Sequence, residues 1–155
     1  MKRILAAALL AAAAMLPVPA SHAAGDDSPS PPGAAADPDF EAGKAAIRGK
    51  DWNAALAAFG KVAAKDPKNA DAQNWLGYAN RMSGKVDLAL KHYAEALRLD
   101  PRHRGAHEYI GEAYLMKGDV AKAKEHLAQL DRLCFFGCPE LADLGKAIAA
   151  YEKKR

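Results

Sequence analysis

The sequence predicts an all-α fold, a solenoid of three helix pairs closed by a further helix. Three observations predict it. From residue 36 the chain repeats itself at a period of 34. Apolar side chains recur within the units at three- and four-residue spacings, the stripe of an amphipathic helix. Asp66-Pro67 and Asp100-Pro101 fall at the same point of successive units. They stop helices there, because proline lacks the N–H and restricts the residue before it.

The segment ahead of the repeats has a different character. "MKRILAAALLAAAAMLPVPASHAAGDD" opens with Lys2 and Arg3, continues as an apolar run over residues 4–16, and is broken by Pro17 and Pro19. Ser21-His22-Ala23 then offers small residues where a signal peptidase cuts. Thirteen apolar residues fall short of the roughly 20 that span a bilayer. Residues 1–23 are therefore expected to be a cleaved secretory signal, giving a mature start near Ala24 in a periplasmic or extracellular, oxidising space. No cysteine follows the apolar run, so a lipoprotein anchor is not expected. Residues 24–38, rich in Pro, Ser, Gly and Ala, are expected to be a disordered linker. Losing Lys2 and Arg3 reduces 22 basic residues to 20, against 19 acidic. A net charge near +1 makes no case for nucleic acid or, once the signal is gone, for a membrane surface.

The repeat domain is expected over residues 39–153, with units at 36–69, 70–103 and 104–137. Gly43, Gly77 and Gly111 share position 8 of the unit, and Ala55, Ala89 and Ala123 share position 20. Small residues there let two helices approach closely. Phe59, Tyr93 and Leu127 at position 24, and Val62, Ala96 and Leu130 at position 27, are expected to interlock between them. The first unit has a thin core residue, Ala42, at position 7, for which Phe40 and Trp52 compensate. In the second unit the stripe runs through Leu76, Leu88, Ala89, Tyr93, Ala96 and Leu97, and Gly84 marks its inner turn, as Gly118 does in the third. One helix pair cannot bury its own apolar face, so stacking supplies the core. "PELADLGKAIAAYEKK" follows as a capping helix over 139–153, with Pro139 in its first turn and Leu141, Leu144, Ala147, Ile148 and Tyr151 on one face.

This pattern resembles the tetratricopeptide repeat family, whose 34-residue unit is a helix–turn–helix. The resemblance covers about 100 residues in three registers and is strongest in "LGYA" and "ALKHYAEALRLDP" of the middle unit. It implies protein binding in a concave groove lined by the first helix of each unit. Carried onto this chain, the groove holds Phe40, Lys44, Ile47 and Arg48, then Asn74, Tyr78, Arg81 and Met82, then Glu108, Glu112, Leu115 and Met116. One end is basic, the other acidic, with an apolar strip between, a composition suited to a peptide of mixed charge. Tyr78 with Arg81 is the expected centre of binding energy. The family's clamp for chaperone tails is not implied, since Gly105 and Tyr109 occupy two of its positions.

Cys134 and Cys138, the only cysteines, sit in "RLCFFGCPEL" between the last unit and the cap. A metal site needs about four ligands, and no histidine adjoins them. His92 and His126, both at position 23, are expected on a solvated face, and His103 and His107 are placed to meet on one helix face. A structural disulfide fixing the cap's docking angle is the expectation, with Phe135 and Phe136 filling the space beneath. The alternatives are a redox-active or metal-handling accessory built on this pair, or two buried free thiols. No serine elbow, paired-histidine zinc motif or phosphate loop is present. The chain is expected to be a protein-binding scaffold rather than an enzyme, without a cofactor or bound metal.

Overall fold

Each unit turns on a residue in left-handed backbone. Gly84 (φ 78°) and Gly118 (φ 79°) take that conformation at position 15 of the second and third units, and Lys50 (φ 56°) takes it in the first. The next residue then bonds back five positions: Asp51 N–H to the Ala46 carbonyl, Lys85 N–H to Asn80, and Asp119 N–H to Tyr114, all at 2.9 Å. This C-terminal motif satisfies helix-end carbonyls and normally selects glycine, because a Cβ is disfavoured at positive φ.

In the computed structural model, which describes residues 37–154, these turns separate seven helices. They are α1 (Pro38–Arg48), α2 (Trp52–Lys65), α3 (Ala70–Met82), α4 (Val86–Leu99), α5 (Arg104–Met116), α6 (Val120–Leu133) and α7 (Pro139–Lys153). Side chains cap five of the N-termini: Asp37, Asp51, Asn69, His103 and Asp119 each accept a backbone N–H of the first turn. Lys85, at the corresponding place before α4, provides no such cap. After α2 and α4, the carboxylates of Asp66 and Asp100 accept the N–H two residues on, closing the turn to the next unit. The expected signal and almost all of the expected linker lie outside the described residues. Among those described, no helix is long and apolar enough to cross a membrane.

Packing follows the repeat. Ala55, Ala89 and Ala123 are fully buried where the paired helices meet, and Phe59 and Tyr93 are fully buried beside them. A Cβ added at Gly43 would stand 2.6 Å from the Phe59 ring, and one at Gly77 would stand 2.5 Å from Tyr93. Position 8 is thus glycine because the aromatic at position 24 of the same unit lies flat against it. Each helix packs on the next, and α3 also packs on α5, and α5 on α7.

The third unit breaks this rule. Gly111 receives Leu144 of the cap, 2.6 Å from the position of an added Cβ. Leu144 is fully buried, whereas Leu127 at position 24 is only partly so. Two expected core positions also fail. Ala42 is exposed, and Phe40 supplies the missing contact by packing edge to face on Phe59 at 5.4 Å. Leu88 is 43% exposed, on the outer side of α4.

Candidate functional site

The first helices α3 and α5, with the cap α7, enclose a cleft of about 470 Å³. Its lining is Arg81 from α3, Glu112, Leu115 and Met116 from α5, and Ala147, Ala150, Tyr151 and Lys154 from the end of the chain. Apolar and charged side chains share this lining, with Arg81 11% exposed and Met116 55% exposed. The contribution of α7 was invisible to the repeat pattern, which assigns groove positions only within complete units. The signal that could have found it is the face bearing Ala147 and Tyr151, expected only to cover the last pair.

Arg81 is the fulcrum. Its guanidinium pairs with Glu112 at 2.7 Å, with the arginine side chain 11% exposed, and its Nε–H donates to the Tyr93 hydroxyl at 3.4 Å. The same group lies 5.3 Å from the Tyr78 ring and 5.5 Å from the Tyr109 ring, close enough for cation–π attraction. Tyr78 in turn packs on Tyr109 at 5.0 Å, Trp75 at 5.6 Å and Trp52 at 6.3 Å. Tyr78 and Arg81, the expected centre of binding energy, are brought together in a cluster that joins three units, with the aromatic rings packed across helices and the cation between them.

The remaining predicted residues divide. Asn74 is buried at 4% exposure beneath Gly105 and offers no free groove contact. Its Oδ1 finds no hydrogen-bond donor among the described residues. Leu115 is buried and Ile47 packs partly into the first core cluster, whereas Met82 and Met116 are 43% and 55% exposed. At the α1 end, Lys44 pairs with Glu41 at 3.2 Å and lies 6.0 Å from the Phe40 ring, and Arg48 is exposed. At the far end, Glu108 and Glu112 are joined by Glu140 and Asp143 of the cap, so the acidic patch is larger than the repeats alone suggest. Glu140 lies 3.7 Å from Arg104.

Burial, then the neighbouring carboxylates of Glu112, Asp143 and Glu140, push Glu108 up to about 7 against the opposing pull of Arg81. Between its ordinary value of 4.5 and about 7 the unfolded chain gives up this proton before the folded one does. Stability is therefore lost as pH rises through that window, and the loss is complete above it. Glu108→Gln removes the effect. The melting temperatures of variant and parent should agree within their offset at pH 4.5 and diverge in favour of the variant by pH 8. An offset independent of pH contradicts the assignment.

The histidines pair differently from expectation. His103 caps α5 and contacts Asp71 at 3.1 Å, so it does not meet His107. His107 is buried, with one ring nitrogen 3.0 Å from His126 and the other 3.1 Å from the Pro101 carbonyl. His126, expected on a solvated face, is half-buried, and burial and then His107 lower it to about 4. His92 bonds Gln73 at 2.9 Å. The units stack so that position 23 of one helix reaches back to the first helix of its own pair.

Cys134 and Cys138 are joined, Cα atoms 5.6 Å apart. Their sulfurs and a Glu140 oxygen lie within 4.8 Å of one another, but bonded sulfurs offer no thiolate to a metal. Phe135 and Phe136 do not fill space beneath the loop. They are 87% and 96% exposed, because the short loop closed by the cysteines points their rings outward.

Two overlapping segments, residues 40–101 and 82–134, match the sequence profile of the tetratricopeptide repeat. No curated protein sequence matches significantly. Among solved structures, the chain is similar to the type III secretion translocator chaperone SycD of Yersinia enterocolitica, with 19% identity, TM-score 0.66, and 75% of this chain and 82% of that one covered. The TPR2B domain of yeast Sti1 in complex with an Hsp70 peptide gives 18% identity and TM-score 0.69 over 76% and 95%. The first such domain of Spaghetti (RPAP3), bound to the HSP90 peptide SRMEEVD, gives 18% and 0.66 over 74% and 93%. At these identities the likeness concerns the fold.

Proposed function

The chain belongs to the tetratricopeptide repeat family, and from that premise we propose that it is an exported protein-interaction module whose concave cleft holds a peptide segment of a partner protein. One observation carries this: a cleft of about 470 Å³ between α3, α5 and α7, lined by apolar Leu115, Met116, Ala147 and Ala150 together with charged Arg81, Glu112 and Lys154. Such a surface suits a helix or extended segment that buries apolar side chains and aligns its charges at the rim. The exposed Met116 gives the cleft an adaptable contact. Similar folds in Sti1 and Spaghetti hold peptides of Hsp70 and HSP90, which supports the interaction role and leaves this partner's chemistry to its own cleft. Export rests on the charged start, apolar run and small-residue site of residues 1–23. An oxidising compartment would in turn sustain the Cys134–Cys138 bond as a local staple for the cap.

Both parts have direct tests. A photo-reactive side chain at Met116, expressed in the native host, should form an adduct with one discrete protein, and the same probe at Leu88 on the outer helix should not. Equal labelling from both positions contradicts the groove. N-terminal sequencing should find a start near Ala24, and Met1 retained on cytoplasmic protein contradicts export.

A further inference from the structure

A second apolar surface lies on residues that take no part in the concave cleft. Phe135 and Phe136, at 87% and 96% exposure, pack edge to face with ring centroids 4.9 Å apart and so form one knob. The knob is held in place. The Cys134–Cys138 bond closes the loop around it, Gly137 turns it at φ 83°, and the Gly137 N–H donates to the Cys134 carbonyl at 2.8 Å. Apolar area fixed in water is unfavourable in proportion to its size, and two rings on one tight loop are an isolated patch of that kind.

A matching hollow adjoins it. Lys124, Leu127, Ala128 and Asp131 of α6, with Leu141 of α7, line a cleft of about 400 Å³. The four α6 residues share one helix face, and that row runs toward the loop, which begins three residues beyond Asp131. Knob and hollow therefore occupy one patch at one end of the fold.

We propose that this patch joins two copies of the chain about a twofold axis, with Phe135 and Phe136 of each copy seated in the α6–α7 cleft of the other. A patch carrying both knob and socket is self-complementary, the condition for a closed dimer. A buried phenylalanine removes about 150–250 Å² from water. Two knobs, with the socket surface they cover, therefore bury about 1,200–2,000 Å² in all, the range of a standard-size interface. Charge agrees with this orientation. Lys124 stands at one end of the cleft row and Asp131 at the other. A twofold axis perpendicular to α6 sets the two copies of that helix antiparallel and brings each Lys124, which pairs with Glu152 of its own copy at 2.7 Å, toward the other copy's Asp131.

Sedimentation velocity on the oxidised protein, purified from its native host, tests the proposal. A reversible dimer of twice the chain mass is expected. Phe135→Ser with Phe136→Ser should weaken it at least about 100-fold, and Ala128→Arg, which fills the socket from an exposed position, should do the same. The circular dichroism spectrum should be unchanged in both variants, since the altered side chains are exposed. A wild-type chain that stays monomeric at about 100 µM overturns the proposal. So does a dimer that survives either variant, or a monomer whose phenylalanines instead bind phosphatidylglycerol vesicles. Substitutions at Met116 and Ala150 should leave the dimer intact, so its failure and that of the concave cleft are separable.

Discussion

Tyr93→Ala should lower the stability of the solenoid by about 3–5 kcal/mol, the range for deleting a fully buried aromatic ring. Tyr93 has no exposed surface, and its ring is the reason Gly77 has no room for a side chain. It also lies 6.3 Å from Tyr109 of the next unit and accepts the Nε–H of Arg81. The substitution therefore opens a cavity between α3 and α4 and loosens the cation held between Tyr78 and Tyr109. For a domain of this size the melting temperature should fall by about 10–25 °C, followed by circular dichroism. Tyr93→Phe keeps the ring and loses only the phenol's hydrogen bond, an effect of about 1 kcal/mol. A small shift for Tyr93→Ala would mean that the middle unit is not held by this interlock.

Much of this was legible because the 34-residue period repeats one physical contact, a glycine against an aromatic ring, and one close approach at Ala55, Ala89 and Ala123. What failed was where the repeat stops being periodic. Lys50 takes a conformation that Gly84 and Gly118 reserve for glycine elsewhere, so the turn of the first unit carries no glycine signal at that position. Leu144 of the cap takes the place of Leu127 against Gly111 because α7 packs on α5. For the same reason Ala147, Ala150 and Tyr151 become cleft residues. The expectation that Phe135 and Phe136 fill the space beneath their loop fails because a five-residue loop closed by its own cysteines has no interior to hold them. The pairing of His107 with His126 depends on the angle between α5 and α6, which spacing along one helix does not encode. Groove positions taken from the family point to α3 and α5, which line the cleft, and to α1, which does not, and they do not tell the buried Asn74 and Arg81 from the exposed Met116.

The account stands on the concave cleft as a binding surface, and Met116→Asp combined with Ala150→Asp tests that most directly. Met116 is 55% exposed and Ala150 is exposed, so the fold should shift by only about 0.5 kcal/mol per position. Both residues line the cleft beside Glu112. Two added carboxylates there would be desolvated, and repelled by an existing acid, whenever an apolar segment entered. Once the cross-linked partner is identified, its affinity for parent and variant is measured by calorimetry. The account predicts a loss of at least about 100-fold, with the melting temperature nearly unchanged and with Leu88→Asp on α4 binding as the parent does. A folded Met116→Asp, Ala150→Asp variant that binds the partner as tightly as the parent would contradict it.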